Sequence, residues 1–220
     1  MQSEISQMCD FRVPTREEML TALEKRQGAE AVRKLLAATV AVCGLGGLGS
    51  NIAISLARAG VGRLILVDFD CVDVTNLHRQ QYKANQVGMP KPEALLANLK
   101  EIAPYTEFET HFEKVTAENA VPLLAKADVV CEAFDNAEAK AMLVNMVLEN
   151  MPEKYLVAAS GMAGYDSGNS ITTRKVTKCF YVCGDGKSDV NDGIGLIAPR
   201  VMLCAAHQAL TVVRIIVDFA

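Results

Sequence analysis

Long runs of one charge, long uninterrupted apolar stretches and closely paired cysteines are all missing from this sequence, and each absence removes a class of function. Its 22 lysines and arginines are scattered among 26 acids for a formal net charge of −4. No basic block or stripe is available to neutralise phosphates along a polynucleotide, so no nucleic acid is expected as a partner. No segment reaches the roughly 18 uninterrupted apolar residues of a membrane span, and residues 1 to 11 lack the basic start and apolar stretch of a secretion signal. The expectation is a cytoplasmic protein without membrane attachment. Seven cysteines (Cys9, Cys43, Cys71, Cys131, Cys179, Cys183, Cys204) lie scattered and odd in number, which argues for reduced thiols and against a disulfide framework. Internal repeats and low-complexity tracts are also missing. Half the residues are hydrophobic and 22% charged, the composition of a folded globular chain.

What is present is an alternation of two hydrophobic periods. The 220 residues suffice for one well-buried domain and are too few for two of ordinary size. Thr15 to Leu36 carries apolar residues at helical spacing, with Thr15 before Glu17 and Glu18 as a start signal, and reads as one helix or two broken near Gly28. Residues 1–38 are therefore expected to form a helical segment packed on a domain spanning 39–220. Short apolar runs at Thr39 to Cys43, Arg63 to Asp68, Ala127 to Cys131 and Tyr155 to Ala159, with a weaker one at Glu107 to His111, read as strands. Helical spacing fills Asn51 to Ala59, Pro92 to Ile102, Thr116 to Ala125, Asn136 to Asn150 and Pro199 to Val217. Ile171 to Thr173 and Phe180 to Val182 are expected to pair antiparallel. Strands alternating with helices predict an α/β fold, a Rossmann-like, doubly wound, mostly parallel sheet with helices on both faces and an antiparallel C-terminal extension. Gly184 to Gly195, rich in Gly, Asp and Ser, is the candidate mobile loop.

Gly44-Leu-Gly46-Gly47-Leu-Gly49 has the dinucleotide-binding spacing and stands directly after a strand and directly before a helix. Gly44 permits the tight turn, Gly46 lets the backbone approach a phosphate, and Gly49 lets helix and strand pack closely, while helix-terminal amides face the anion. Asp68 ends the next strand 19 residues beyond Gly49, close to the separation at which a carboxylate accepts hydrogen bonds from ribose hydroxyls. The turn and the acid predict an adenosine site and leave NAD and ATP both open.

Further on come Asp70, Asn76-Leu-His-Arg79-Gln80, Lys91 at a helix start, and Asp135-Asn136 after the strand ending at Cys131. Two cations, an amide and an acid suit polarisation of a triphosphate and the holding of its metal better than hydride transfer. Arg79 offers forked contacts to phosphate oxygens and Lys91 a compact charge. Each residue also has a plainer role: Arg79 and Lys91 as solvated surface cations, Asp135 as a cap for the helix beginning at Asn136, and His78 as a spacer.

In these residues the chain resembles the ThiF, MoeB and HesA family, relatives of ubiquitin-activating enzymes, from about Arg26 to the C-terminus. The resemblance implies an adenylyltransferase that joins ATP to the C-terminal glycine of a small ubiquitin-fold carrier and releases pyrophosphate. It implies that Gly46 and Gly47 approach the phosphates, that Asp68 holds the ribose, that Asn76, Arg79 and Lys91 contact the triphosphate, and that Asp135 coordinates magnesium. Gln80, Asp70 and Asn136 extend these motifs. Arg26-Gln27 is similar to the pair with which the family reaches an arginine into the neighbouring ATP site of a homodimer. Phe134 to Lys140, Ala158 to Gly164 and Tyr181 to Gly186 are similar to the short, second type of ThiF, which implies a ThiS-like sulfur carrier protein as partner and a role in thiamine thiazole synthesis. The alternatives are a molybdopterin-synthase carrier, another ThiF-family substrate such as a modified tRNA base, or a non-catalytic nucleotide-binding protein. Two Cys-x-x-Cys pairs found in many relatives have no counterpart, so no zinc site is expected, and Cys179 and Cys183 are expected to serve in packing. Cys183 is nevertheless the one candidate for a covalent intermediate near the glycine-rich loop. Lys140 stands where the family usually has arginine, keeping the charge and losing the fork.

Overall fold

The computed structural model describes residues 12–191 and 193–219, so Cys9 lies outside the described residues. The chain enters through α1 (Arg16–Gln27), whose start is a reciprocal cap. The Thr15 hydroxyl accepts from the Glu18 amide at 3.2 Å, and the Glu18 carboxylate accepts from the Thr15 amide at 2.7 Å. α1 buries no residue; the chain breaks at Gly28, and α2 (Ala29–Ala37) sets Val32 and Leu35 into the core. The first helical stretch is therefore two helices.

β1 (Thr39–Cys43), α3 (Gly47–Ala59), β2 (Arg63–Asp68), α4 (Lys91–Ile102) and β3 (Glu107–Phe112) form the first half. The second half is α5 (Ala120–Leu124), β4 (Val129–Glu132), α6 (Ala137–Asn150), β5 (Tyr155–Ala159), β6 (Thr172–Lys175), β7 (Phe180–Gly184) and α7 (Ala198–Phe219). Most bounds agree with the hydrophobic pattern. α3 starts four residues before Asn51, because the end of the glycine turn is already its first turn. α5 is shorter than Thr116 to Ala125, because the Asn119 side-chain Oδ1 accepts from the Thr116 amide at 2.7 Å and closes a turn where helix was expected.

Among the described residues seven strands form one sheet in the order β3-β2-β1-β4-β5-β7-β6, parallel except for the β6–β7 pair. The expected fold class is the observed one. The central strands are apolar on both sides because both sides are covered. Val40, Val42, Leu64 and Leu66 face a core shared with α2, α3, α4 and α7, while Ala41, Ile65, Val130 and Leu156 face α5 and α6. Ile52 and Leu56 of α3 are fully buried, each contributing about 1.5–3 kcal/mol through the water they leave.

By length and composition, residues Ala198–Asp218 of α7 suffice to cross a membrane, although Arg200, His207, Gln208 and Arg214 interrupt its apolar runs. Half of that span is buried here: Val201, Cys204, Ala205, Val212 and Ile215 pack into the core beside α3. The apolarity of α7 thus has an account within the fold.

Candidate nucleotide site at the strand ends

The order of the strands reverses direction between β1 and β4, the place where a doubly wound sheet leaves a crevice at the carboxyl ends of its strands. A cavity of about 580 Å³ opens there, within the range of small-molecule sites. Gly44, Gly46, Gly47, Asp68, Asp70, Asn76, Arg79, Gln80, Lys91 and Asp135 all line it. Residues spread over some ninety positions are brought together by the ends of β1, β2 and β4, the loop carrying Asn76 to Gln80, and the start of α4.

The glycine turn is held from behind. Gly44 has φ +89° and donates to the Val67 carbonyl at 2.8 Å. Gly49 sits against it so closely that a Cβ there would lie 1.8 Å from the Gly44 oxygen. Gly46 faces the cavity: a Cβ would meet nothing nearer than the Gln80 side-chain nitrogen at 3.8 Å, so its role is room in front of the backbone. Gly47 lines the cavity but is also tight against α7, since its Cβ would lie 2.9 Å from Val201.

Asp68 does more than wait for a ribose. Its two oxygens already accept from the Leu45 amide at 2.6 Å and the Asp70 amide at 2.8 Å, tying the glycine turn to the end of β2. A carboxylate has further lone pairs, and those of Asp68 line the cavity. Burial raises its pKa, opposed by Lys91 and by the two amides.

Lys91 is buried and not a solvated surface cation. Its ammonium lies 2.7 Å from Asp70 Oδ2 and 4.0 Å from Asp68 Oδ2. A cation at the first position of a helix opposes the helix dipole, and the two acids offset that cost. Arg79 Nη1 donates to the Thr75 carbonyl at 3.1 Å, while its Nε and the Gln80 Oε1 are buried without a hydrogen-bond partner. Buried polar atoms left unsatisfied are costly, and two of them in one cavity wall fit a ligand that carries both donors and acceptors. Asn76 is occupied in part: its Oδ1 accepts from the Asp73 amide at 3.0 Å. His78 Nε2 lies 3.2 Å from the Leu196 carbonyl, linking the arginine segment to the segment before α7.

Asn136, not Asp135, caps α6, accepting from the Ala139 amide at 2.9 Å. Asp135 is exposed on the cavity lining, and among the described residues nothing hydrogen-bonds to its carboxylate. Magnesium is held through one or two carboxylates together with substrate phosphates, so a single free acid fits it, whereas among the described residues no group of three or more His, Cys, Asp or Glu stands ready for a metal.

Four residues expected at the site stand apart from the cavity lining. Asn136 is spent as the helix cap, and Gly49 supports the turn from behind. Arg26 is exposed in the last turn of α1. Cys183 on β7 is fully buried, its sulfur 3.5 Å from the Thr173 hydroxyl and 3.9 Å from that of Thr211, and burial raises its pKa. A thiol so placed is inaccessible in this arrangement, which argues against a role as covalent intermediate. Cys183→Ala is accordingly expected to leave turnover within about twofold of wild type. A thiol reagent should label exposed Cys71 in the native protein and reach Cys43, Cys131, Cys183 and Cys204 only on unfolding; rapid native labelling of Cys183 would reverse that conclusion.

Two ion pairs escaped the sequence reading. Glu132, 1% exposed at the end of β4, accepts from Lys140 at 3.0 Å through each oxygen and from the Phe134 amide at 2.7 Å. Burial raises the Glu132 pKa and Lys140 opposes it. Lys140, which also donates to the Ala159 carbonyl at 3.2 Å, thus fixes the turn that carries Asp135. The signal in the sequence was a lone acid closing an apolar strand. The second pair is Asp185 with Arg200 at 2.5 Å, both side chains nearly fully buried. Arg200 also donates to the carbonyls of Asp166 and Ser167, and Asp185 accepts from the amides of Lys187 and Ser188. The start of the expected mobile loop, Asp185 to Ser188, is therefore pinned.

The ThiF family matches residues 20–220. The adenylyltransferase and sulfurtransferase MOCS3 of Anopheles gambiae is 32% identical over 204 residues, which cover 87% of this chain and 44% of that protein. The adenylyltransferase and sulfurtransferase UBA4 of Lodderomyces elongisporus is 30% identical over 193 residues, covering 84% of this chain and 42% of that one. The chain spans less than half the length of these curated relatives. Among solved structures, the tRNA N6-threonylcarbamoyladenosine dehydratase TcdA of E. coli, crystallised with ATP, superposes with a TM-score of 0.83 at 21% identity over 93% of this chain and 97% of that one, a likeness of fold. The family match over residues 20–220 and the relatives at 30–32% identity, in keeping with the glycine turn, Arg79, Lys91 and Asp135 gathered in one crevice, show that the chain belongs to the ThiF family.

Proposed function

We propose that the chain is a cytoplasmic ATP-dependent adenylyltransferase that activates the C-terminal glycine carboxylate of a small ubiquitin-fold, ThiS-like sulfur carrier for thiamine thiazole synthesis. The observation that carries the reading is the crevice in which buried Lys91, the unsatisfied Arg79 and Gln80 atoms and the free Asp135 carboxylate converge in front of Gly46.

In the reaction a carrier carboxylate oxygen attacks the α-phosphorus of ATP. A carbon-linked O–P bond forms, the bond to the bridging oxygen breaks, and its electron pair leaves with pyrophosphate. A carboxylate is already ionised at neutral pH, so no base is required and the protein's work is positioning and charge neutralisation. Gly46 admits the phosphates to the amides of the helix start, Asp68 orients the ribose, and Arg79 spans two phosphate oxygens with its planar fork. Lys91, paired with Asp70 in the cavity wall, shares its charge with the departing pyrophosphate. Asp135 would hold magnesium, which when bound supplies further charge neutralisation on the phosphoryl oxygens. Arg26, exposed and outside its own cavity lining, suits a contact with the site of a second copy in a homodimer.

ATP–pyrophosphate exchange with purified ThiS, run beside a molybdopterin-synthase carrier and with NAD binding measured in parallel, tests the reading. Exchange that depends on ThiS supports it. Exchange with the other carrier alone changes the substrate and keeps the chemistry. ATP binding without any exchange would leave a nucleotide-binding protein, and tight NAD binding without exchange would overturn the ATP assignment.

A further inference from the structure

The three segments that supply the cations and the glycine turn do not hold one another through the cavity; they are joined behind it by a chain of buried amides. Asn51, in the second turn of α3, donates from Nδ2 to the Gly47 carbonyl at 2.7 Å and to the Arg79 carbonyl at 3.3 Å. Its Oδ1 accepts from Gln81 Nε2 at 2.7 Å. One position earlier, the Ser50 hydroxyl donates to the Gly46 carbonyl at 2.7 Å and accepts from the Gln81 amide at 3.1 Å. The chain continues into α4, where Asn98 donates to the Gln81 carbonyl at 2.8 Å and exchanges side-chain hydrogen bonds with Gln86 at 3.0 Å in both directions. Ser50, Asn51, Gln86 and Asn98 are all at least nine-tenths buried and Gln81 is partly buried, and none of these five lines the cavity.

Such a network is conspicuous for its position. Asn is a poor helix residue because its side chain competes for backbone groups, and here that competition is put to use: the amide reaches across to a different segment. A hydrogen-bonded buried network favours one arrangement of the elements it joins. The elements joined are the turn that faces the phosphates, the backbone of Arg79 and the helix that begins with Lys91.

We infer that Asn51 is a positioning residue for triphosphate binding, acting through Arg79: its amide sets the Arg79 backbone at a fixed distance from the glycine turn so that the guanidinium and the turn engage one phosphate chain together. The inference rests on the ATP reading above. Without Asn51 the Arg79 carbonyl and Gln81 Nε2 lose their shared partner, the segment relaxes, and a displacement well under the length of a bond suffices to uncouple a fork from its phosphate.

The test is a double-mutant cycle on the affinity of the full chain for ATP with magnesium, read by calorimetry and requiring no carrier. Asn51→Ala is expected to weaken ATP about tenfold and Arg79→Ala about 100-fold, while the double variant binds within about twofold of Arg79→Ala alone, because residues acting as one unit are not additive. The melting temperature without nucleotide, measured alongside, records any purely structural loss, which would not depend on whether Arg79 is present. Gln81→Ala, which removes only the donor to Asn51 Oδ1, should repeat the non-additivity with a smaller loss and serves if Asn51→Ala does not fold. ATP affinity unchanged in Asn51→Ala, or a loss that persists in full in the Arg79→Ala background, overturns the assignment. An Arg79→Ala protein that binds ATP like wild type instead overturns the ATP reading of Arg79, and this inference with it.

Discussion

Arg79→Ala and Lys91→Ala, each made alone, are expected to cut kcat/KM for ATP in carrier-dependent exchange by about 100- to 1,000-fold, the range seen when one pre-positioned donor to developing charge is removed. Neither change should unfold the protein. Arg79 contributes one backbone hydrogen bond from its guanidinium, to Thr75, and its Nε contributes none. Loss of Lys91 frees Asp70, whose side chain is half exposed and regains water. The two variants should differ in kind. Arg79→Lys keeps the charge and loses the planar fork, so it is expected to recover only part of the activity. Lys91 starts out paired with Asp70, so Asp70→Asn should change the affinity for pyrophosphate while leaving the exchange measurable. Exchange within about threefold of wild type in both alanine variants, with melting temperatures preserved, would sink the assignment of these cations to the triphosphate.

The largest loss of stability is expected from Arg200→Ala. The guanidinium is buried with four acceptors around it: the Asp166 and Ser167 carbonyls, the Ser170 hydroxyl and the Asp185 carboxylate. Its removal strands a carboxylate that is itself 6% exposed, and breaking one side of a buried pair costs about 3–5 kcal/mol. The pair also gives the fold an acid signature. Burial pushes the Asp185 carboxyl up, but the Ser188 and Lys187 amides, the Ser188 hydroxyl and Arg200 outweigh it and bring the pKa down to about 2. Because the folded pKa is depressed, the stabilisation is fully present above the ordinary carboxylate value near 4 and is lost as pH falls towards about 2. Urea unfolding of wild type and Arg200→Ala at neutral pH should show the difference, and the two curves should converge as the pH is lowered through that window. A neutral-pH difference below about 1 kcal/mol would mean that the loop ends are held by other contacts.

Both regions of greatest effect were only half legible in the sequence, and for different reasons. Arg79 and Lys91 stood out because they follow a glycine turn at recognisable separations, and local spacing is readable wherever a strand, a turn and a helix must follow one another. Arg200 and Asp185 lie on either side of a loop, in no pattern, and only packing of α7 against β7 and the turn at residues 166–170 makes them neighbours. Glu132 and Lys140 are eight residues apart, and it is the reversal from β4 into α6 that brings them within hydrogen-bond reach. Cys183 misled in the opposite direction: its place in sequence, just before a glycine-rich loop, suggested access, but register on β7 turns its side chain inward beneath α7.

By itself the sequence determined the order and type of the elements, the parallel sheet they imply, and a nucleotide turn followed by an acid. These follow from hydrophobic period, from glycine's missing Cβ and from the need of parallel strands for crossovers, all of which act over short stretches of chain. Tertiary structure alone decided that Lys91 rests between two acids, that Asp135 is free while Asn136 caps the helix, and that Asn51 ties the turn to Arg79. Those are questions of which polar group finds which partner once water is excluded, and the answer depends on distances between segments that no local pattern encodes.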